Sequence, residues 1–143
     1  MNYKVIIDSE LEEDILVYAN KKTKLIKDIE ELILNERIEL IGFKEKESIV
    51  LNLSEIYCFI VENNKIYAST IADKLQLKYR LYQLEEKLPE NFIKINKSCI
   101  ANIKLIEKFN SSFSGTLVVK FKNGYTDYVS RRNLKNIKER FAL

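Results

Sequence analysis

Residues 56-IYCFIVENNKIYAST-70 place two runs rich in β-branched and aromatic side chains on either side of Glu62-Asn63-Asn64-Lys65. Asparagine tolerates left-handed backbone, so the ENNK stretch predicts a β-hairpin with Lys65 at its tip. Upstream, 38-IELIGF-43 and 48-SIVLNL-53 carry apolar residues at period two around the charged KEKE, and read as strands. Downstream, 92-FIKI-95, 103-IKLIEKF-109, 116-TLVVKFK-122 and 125-YTDYVS-130 are further strand candidates. Asn123-Gly124 joins the last two, a strong hairpin signal. One helix interrupts the strands: 80-RLYQLEEKLP-89 spaces Leu81, Leu84 and Leu88 helically and stops at Pro89. From Ile38 onward the chain is therefore expected to be β-rich.

The preceding residues follow another pattern. Two short strands are expected at 3-YKVIID-8 and 14-DILVYAN-20, then an amphipathic helix from about Lys22 to Glu36 with Leu25, Ile26, Ile29, Leu32 and Ile33 on one face. The expected organisation is a strand-strand-helix extension over 1–37 and a mainly β (α+β) body over 38–143. A chain of 143 residues with one proline and three glycines offers no long tether. No apolar run approaches the ~20 residues of a bilayer span, and acids interrupt the N-terminal apolar residues early, so a soluble cytoplasmic protein is expected.

The chain has no histidine. That removes the usual zinc sets and the Ser-His and Cys-His nucleophile pairs. Cys58 and Cys99 lie in the apolar runs YCFI and SCIA, where buried reduced thiols are expected. With no P-loop-type glycine loop and no carboxylate pair in a plausible pocket, no enzyme activity, metal or cofactor is implied.

Charge is segregated along the chain. Residues 1–40 hold six basic and ten acidic side chains, residues 41–91 seven and eight, and residues 92–143 eleven and three. A strongly basic last third suits a phosphate-rich partner, or is simply a solvated lysine-rich surface. Its end, 129-VSRRNLKNIKERF-141, reads as a closing helix with Ser130 as N-cap and Leu134, Ile137 and Phe141 facing the core. At about 100° per residue Arg132 points away from that face, while Arg131, Lys135 and Lys138 form a basic stripe beside it. Cations in a first helical turn oppose the macrodipole at a cost of roughly 0.3–1 kcal/mol each. An anion held by Ser130, Arg131, Arg132, Asn133 and the open amides of that turn would offset the cost.

Together, 92-FIKINKSCIANIKLI-106, FKNGYTDYVSRRNLKNI and the upstream 55-EIYCFIVENNKIYA-68 resemble the LytTR DNA-binding domain in motif order, spacing and strand context. The resemblance covers about Ile38 to Phe141. It implies a fold of short sheets with short helices that inserts side chains from turns, and from the start of its last helix, into successive major grooves of duplex DNA. It carries DNA contact to Lys65, Asn96, Lys97 and Arg132, with Ser98, Ser130, Arg131 and Asn133 on the DNA backbone and Lys135 on the adjoining basic stripe. Asn96 and Lys97 stand where the family often has histidine and arginine. A lysine, as a point charge, favours phosphate over base specification.

Residues 1–37 are too few for the receiver domain of a response regulator, so the chain resembles stand-alone LytTR regulators with a strand-strand-helix extension. That extension is expected to pack on the body or to pair two chains. The function implied is a bacterial, sequence-specific transcriptional regulator binding promoter repeats as a homodimer. One rival is a protein-interaction module whose acidic N-terminal part docks on a partner, such as a membrane-bound inhibitor, with an incidental basic patch. Another is an RNA or single-strand binder using its tyrosines, although at alternating strand positions these are more simply core residues.

Overall fold

A computed structural model of the protein describes residues 4–10, 15–35 and 39–143. The chain divides into two compact units, Met1–Leu34 and Asn35–Leu143. In the first, helix α1 (Lys24–Asn35) begins at Thr23, whose hydroxyl and carbonyl accept from the Ile26 and Lys27 amides at 3.4 and 3.1 Å. The two strands expected ahead of it do not form among the described residues, and 4–8 and 15–19 are irregular. Val5-Ile6-Ile7 and Ile15-Leu16-Val17 are consecutive apolar runs without alternation, and a short segment holds strand geometry only where a partner takes its hydrogen bonds. The element order is thus helix, then strands; residues 3 and 14, also assigned to those strands, lie outside the described residues.

Among the described residues the second unit contains ten strands and two α-helices, with short 3₁₀ turns at Leu53–Glu55 and Ile103–Leu105: β1 (Leu40–Lys44), β2 (Glu47–Leu51), β3 (Cys58–Glu62), β4 (Lys65–Ser69), β5 (Lys74–Leu77), α2 (Leu81–Lys87), β6 (Phe92–Asn96), β7 (Cys99–Asn102), β8 (Ile106–Ser111), β9 (Leu117–Phe121), β10 (Thr126–Val129) and α3 (Arg131–Phe141). Seven strands form an antiparallel sheet in the order β2-β1-β5-β4-β3-β7-β6, and β10-β9-β8 form a second. Asn63 and Asn64 adopt φ of 50° and 61°, closing the β3–β4 hairpin as a two-residue turn with Glu62 opposite Lys65. Between β9 and β10, Gly124 at φ 89° ends a three-residue loop, with the Phe121 amide bonded to the Tyr125 carbonyl at 2.9 Å.

Strand alternation builds two cores, one on each face of the large sheet. Phe59, Ile66, Ala68, Leu75, Leu77 and Ile100 point to one face and pack with Leu84 of α2. Cys58, Ile60, Cys99 and Ala101 point to the other and pack with Leu117, Val119 and Phe121 of the small sheet and Ile137 of α3. Gly42 allows the closest approach in the first core, because a Cβ there would lie 2.7 Å from Leu75 Cβ. Both cysteines are buried and free. The helix expected at the C-terminus forms as read, with Ile137 buried and Leu134 and Phe141 partly buried against the second core.

Candidate nucleic-acid interface

The β6–β7 connection is a tight turn in which Asn96 pairs with Cys99 and Lys97-Ser98 form the tip. Asn96, the residue expected to face DNA from this turn, is 1% exposed. Its amide nitrogen donates to Asp127 Oδ1 at 2.9 Å and to the Tyr128 carbonyl at 2.8 Å, and its oxygen accepts from the Ser98 amide at 2.8 Å. A buried polar side chain survives only when its groups are paired, and here the partners lie within the protein. Asn96 therefore fixes the turn, while Lys97 is left exposed at its tip. Ser98 is half-buried, and its carbonyl accepts from the Val61 amide at 2.9 Å, tying the turn to β3.

Asp127 joins this turn to the small sheet. Besides Asn96 it accepts from the Tyr125 hydroxyl at 3.0 Å and the Tyr128 amide at 2.8 Å. Burial, with Asp127 next, pushes the Tyr125 phenol far above its usual range. Cys99 lies beside the same group; its hydrogen bond with the free Cys58 and its burial raise its thiol well above the ordinary value.

Helix α3 starts against the same turn. The Ser130 amide donates to the Ile95 carbonyl at 2.8 Å, placing the helix start next to Asn96. Ser130 holds the N-cap position but caps no amide with its side chain, and Asn133 Nδ2 donates to its hydroxyl at 2.8 Å instead. The first-turn amides of Arg131 and Arg132 thus have no side-chain cap. Both arginines are exposed, and among the described residues neither pairs with a carboxylate. A groove of about 470 Å³ is lined by Lys94, Lys97, Ser130, Arg132 and Asn133, with Tyr128 and Glu85. Of its cations, Lys94 is 3.8 Å from Glu85. Arg131 and Lys135 lie outside this lining, and Lys135 is exposed 4.0 Å from Glu139.

Lys65 lines a second groove, of about 910 Å³, with Asn64, Lys78, Arg80, Tyr82 and Gln83. Register puts it at the same end of the sheet as Lys97, because Val61 of β3 meets Ser98 on one side and Ile66 of β4 on the other. Lys78 and Arg80, which are not among the contacts expected from the sequence, follow β5, a strand likewise not expected from it. The alternation in 74-KLQLK-78 was the available signal. Among the described residues no cluster of acidic or cysteine side chains suits a metal, and no helix is long and apolar enough to cross a membrane.

Residues 46–142 match the family model of the LytTr DNA-binding domain. An uncharacterized HTH-type transcriptional regulator of Staphylococcus aureus (strain NCTC 8325 / PS 47) is 36% identical over 137 residues, which is 94% of this chain and 93% of that protein. A second, from strain MSSA476, is 40% identical over 110 residues, 77% of this chain and 75% of its own. The longer match takes in most of the N-terminal extension, which the family model does not span. A solved LytTr DNA-binding domain from Bacillus cereus aligns with a TM-score of 0.70 over 75% of this chain and 99% of that one; at 19% identity the likeness is one of fold.

Proposed function

Because the chain belongs to the LytTr DNA-binding domain family, a family of DNA-binding regulators and not of enzymes, we propose that it is a sequence-specific transcriptional regulator that grips duplex DNA with one end of its large sheet. The observation that carries this reading is the meeting of the Lys97 turn with the start of α3 around one groove, through the Ser130–Ile95 bond and the Asn96–Asp127 contact. Arg132 reads a base, since a guanidinium matches guanine O6 and N7 bidentately in the major groove. Arg131, the open first-turn amides, Ser130, Asn133 and Lys135 hold phosphates, and Lys97 and Lys65 meet the backbone on either side. Asn96 positions Lys97 and Ser98. No two helices are consecutive among the described residues, so recognition rests on turns and a single helix start, without a helix-turn-helix.

The regulator acts in the bacterial cytoplasm, with two copies on repeated half-sites. In support of pairing, α1 leaves Leu25, Leu32 and Ile33 exposed on the apolar face that also carries Ile29. A monomeric mass both free and on DNA would remove this part.

The deciding experiment compares binding to the promoter region of the protein's own gene with binding to random-sequence duplex at two salt concentrations. Promoter preference with steep salt dependence is expected. Arg132→Ala should cost ~1–3 kcal/mol and relax the preference at one base pair, whereas Arg131→Ala and Lys97→Ala should weaken both duplexes alike. Equal losses on both duplexes for Arg132→Ala would end its assignment as the base reader.

A further inference from the structure

The second groove shares no lining residue with the first. Ile66 pairs with Leu77, which sets Lys65 of β4 opposite Lys78 at the next position, and directly opposed residues of an antiparallel pair share a face. On the other side Glu62 of β3 is opposite Lys65, and the neighbouring Val61 is bonded to Ser98 of the Lys97 turn. One row across the end of the sheet thus runs from the Lys97 turn through Glu62 and Lys65 to Lys78, with Arg80 two residues beyond. The one acid in that row is already engaged, since Glu62 Oε1 is 2.9 Å from Lys74 Nζ. Among the described residues Lys65, Lys78 and Arg80 pair with no carboxylate. Lys78 is held over the Phe43 ring at 4.6 Å, and the Arg80 amide is bound by Gln83 Oε1 at 2.9 Å, which fixes where its side chain leaves the backbone.

Resting on the regulator reading above, we infer that Lys78 and Arg80 form, with Lys65, a phosphate-contact track that takes the far wall of the major groove entered by the Lys97 turn and Arg132. Strands lie roughly 4.8 Å apart, so three strand spacings from the turn to Lys78 span roughly 14 Å. The major groove of B-DNA is about 12 Å wide. A row of that length reaches from inside the groove to the phosphates on its rim. The lysine ammonium groups are point charges that neutralise phosphate without reading a base. The track therefore adds affinity and salt dependence and leaves specificity unchanged.

The test is binding of the full chain to its own promoter region and to random-sequence duplex, by fluorescence anisotropy over a salt series, for wild type, Lys78→Gln, Arg80→Gln and Lys78→Arg. Each glutamine variant is expected to lower the slope of log K against log salt by about 0.9, one phosphate's worth. It should weaken both duplexes by the same factor, and Lys78→Arg should keep the wild-type slope. Matching thermal melts exclude a folding effect. Unchanged slopes in both glutamine variants overturn the track, and so does a loss confined to the promoter duplex. Because the slope is read on random duplex as well, failure of the track and absence of promoter preference in the wild type are separate outcomes.

Discussion

Replacing Asn96 by alanine removes three hydrogen bonds from a site that is 1% exposed. Two are to neutral groups, from the Ser98 amide and to the Tyr128 carbonyl, and the third is to the Asp127 carboxylate. At ~1 kcal/mol for each neutral bond and ~1.5 kcal/mol for the charged one, the loss is about 3–4 kcal/mol. With a urea slope of about 1–3 kcal/mol per molar, the midpoint should fall by more than ~1 M. Asn96→Asp separates the donor role from the acceptor role. The aspartate still accepts from Ser98, but it sets a second carboxylate against Asp127 where the amide nitrogen stood. Burial and that like charge raise its folded pKa above the unfolded value near 3.9, so the folded state binds more protons in that interval. Stability relative to wild type is then best retained at pH below ~4 and falls as pH rises through the folded pKa. Urea melts across this range decide the matter: an alanine variant losing under ~1 kcal/mol, or an aspartate deficit that does not change with pH, would refute the Asn96–Asp127 account.

Three further outcomes follow from the backbone and the buried network. Ala142 ends α3 at φ 54°, ψ 43°, a left-handed conformation that costs a residue with a Cβ, so Ala142→Gly should stabilise by about 0.5–1 kcal/mol in thermal or urea melts. Gly42→Ala brings a Cβ to 2.7 Å from Leu75 Cβ and 3.0 Å from Leu51 Cδ2, and should destabilise by ~1–3 kcal/mol through overpacking. The raised Cys99 thiol and Tyr125 phenol hold their protons longer in the folded chain than in the unfolded one, so their contribution is intact below the unfolded values and declines above them, from about pH 8.5 for the thiol and about pH 10 for the phenol. Tyr125→Phe should flatten the more alkaline part of that decline, and Cys99→Ala the earlier part.

What the sequence made legible was local. The Asn63-Asn64 turn, the Gly124 loop, the leucine face of α2 and the Ile137 face of α3 are each written within a few residues, and they form as read. Strand β5 was missed because 74-KLQL-77 has two apolar residues and becomes a strand only between β4 and β1, which the chain brings to it from elsewhere. The opposite error occurred at Val5-Ile6-Ile7 and Ile15-Leu16-Val17, where apolar composition suggested strands but, among the described residues, no partner strand completes them. At the candidate interface, the cations of SRRN and the turn at Lys97 were visible. The burial of Asn96 was not, because it depends on Asp127, 31 residues further on. Lys78 and Arg80 escaped for the same reason: register, which brings them beside Lys65, is a property of the paired strands.

The electrostatics of the interface follow from where the few acids of the basic third are spent. Residues 92–143 contain three, Glu107, Asp127 and Glu139. Glu107 lies 3.4 Å from Lys120, Glu139 lies 4.0 Å from Lys135, and Asp127 is bound by Asn96 and Tyr125. None is therefore committed to Lys97, Arg131 or Arg132, and the single acid lining the groove of Lys97 and Arg132, Glu85, lies 3.8 Å from Lys94. Antiparallel topology then gathers Lys65, Lys78 and Lys97, since the β3–β4 hairpin, the β6–β7 turn and the end of β5 share one end of the sheet. Repulsion among exposed like charges weakens beyond a Debye length of about 8 Å at physiological salt, so crowding within that distance costs stability that an anion alone returns. A protein whose net charge is small yet whose DNA affinity falls steeply with salt would be the signature of such concentration, whereas a shallow salt dependence would mean the gathered cations meet no phosphate.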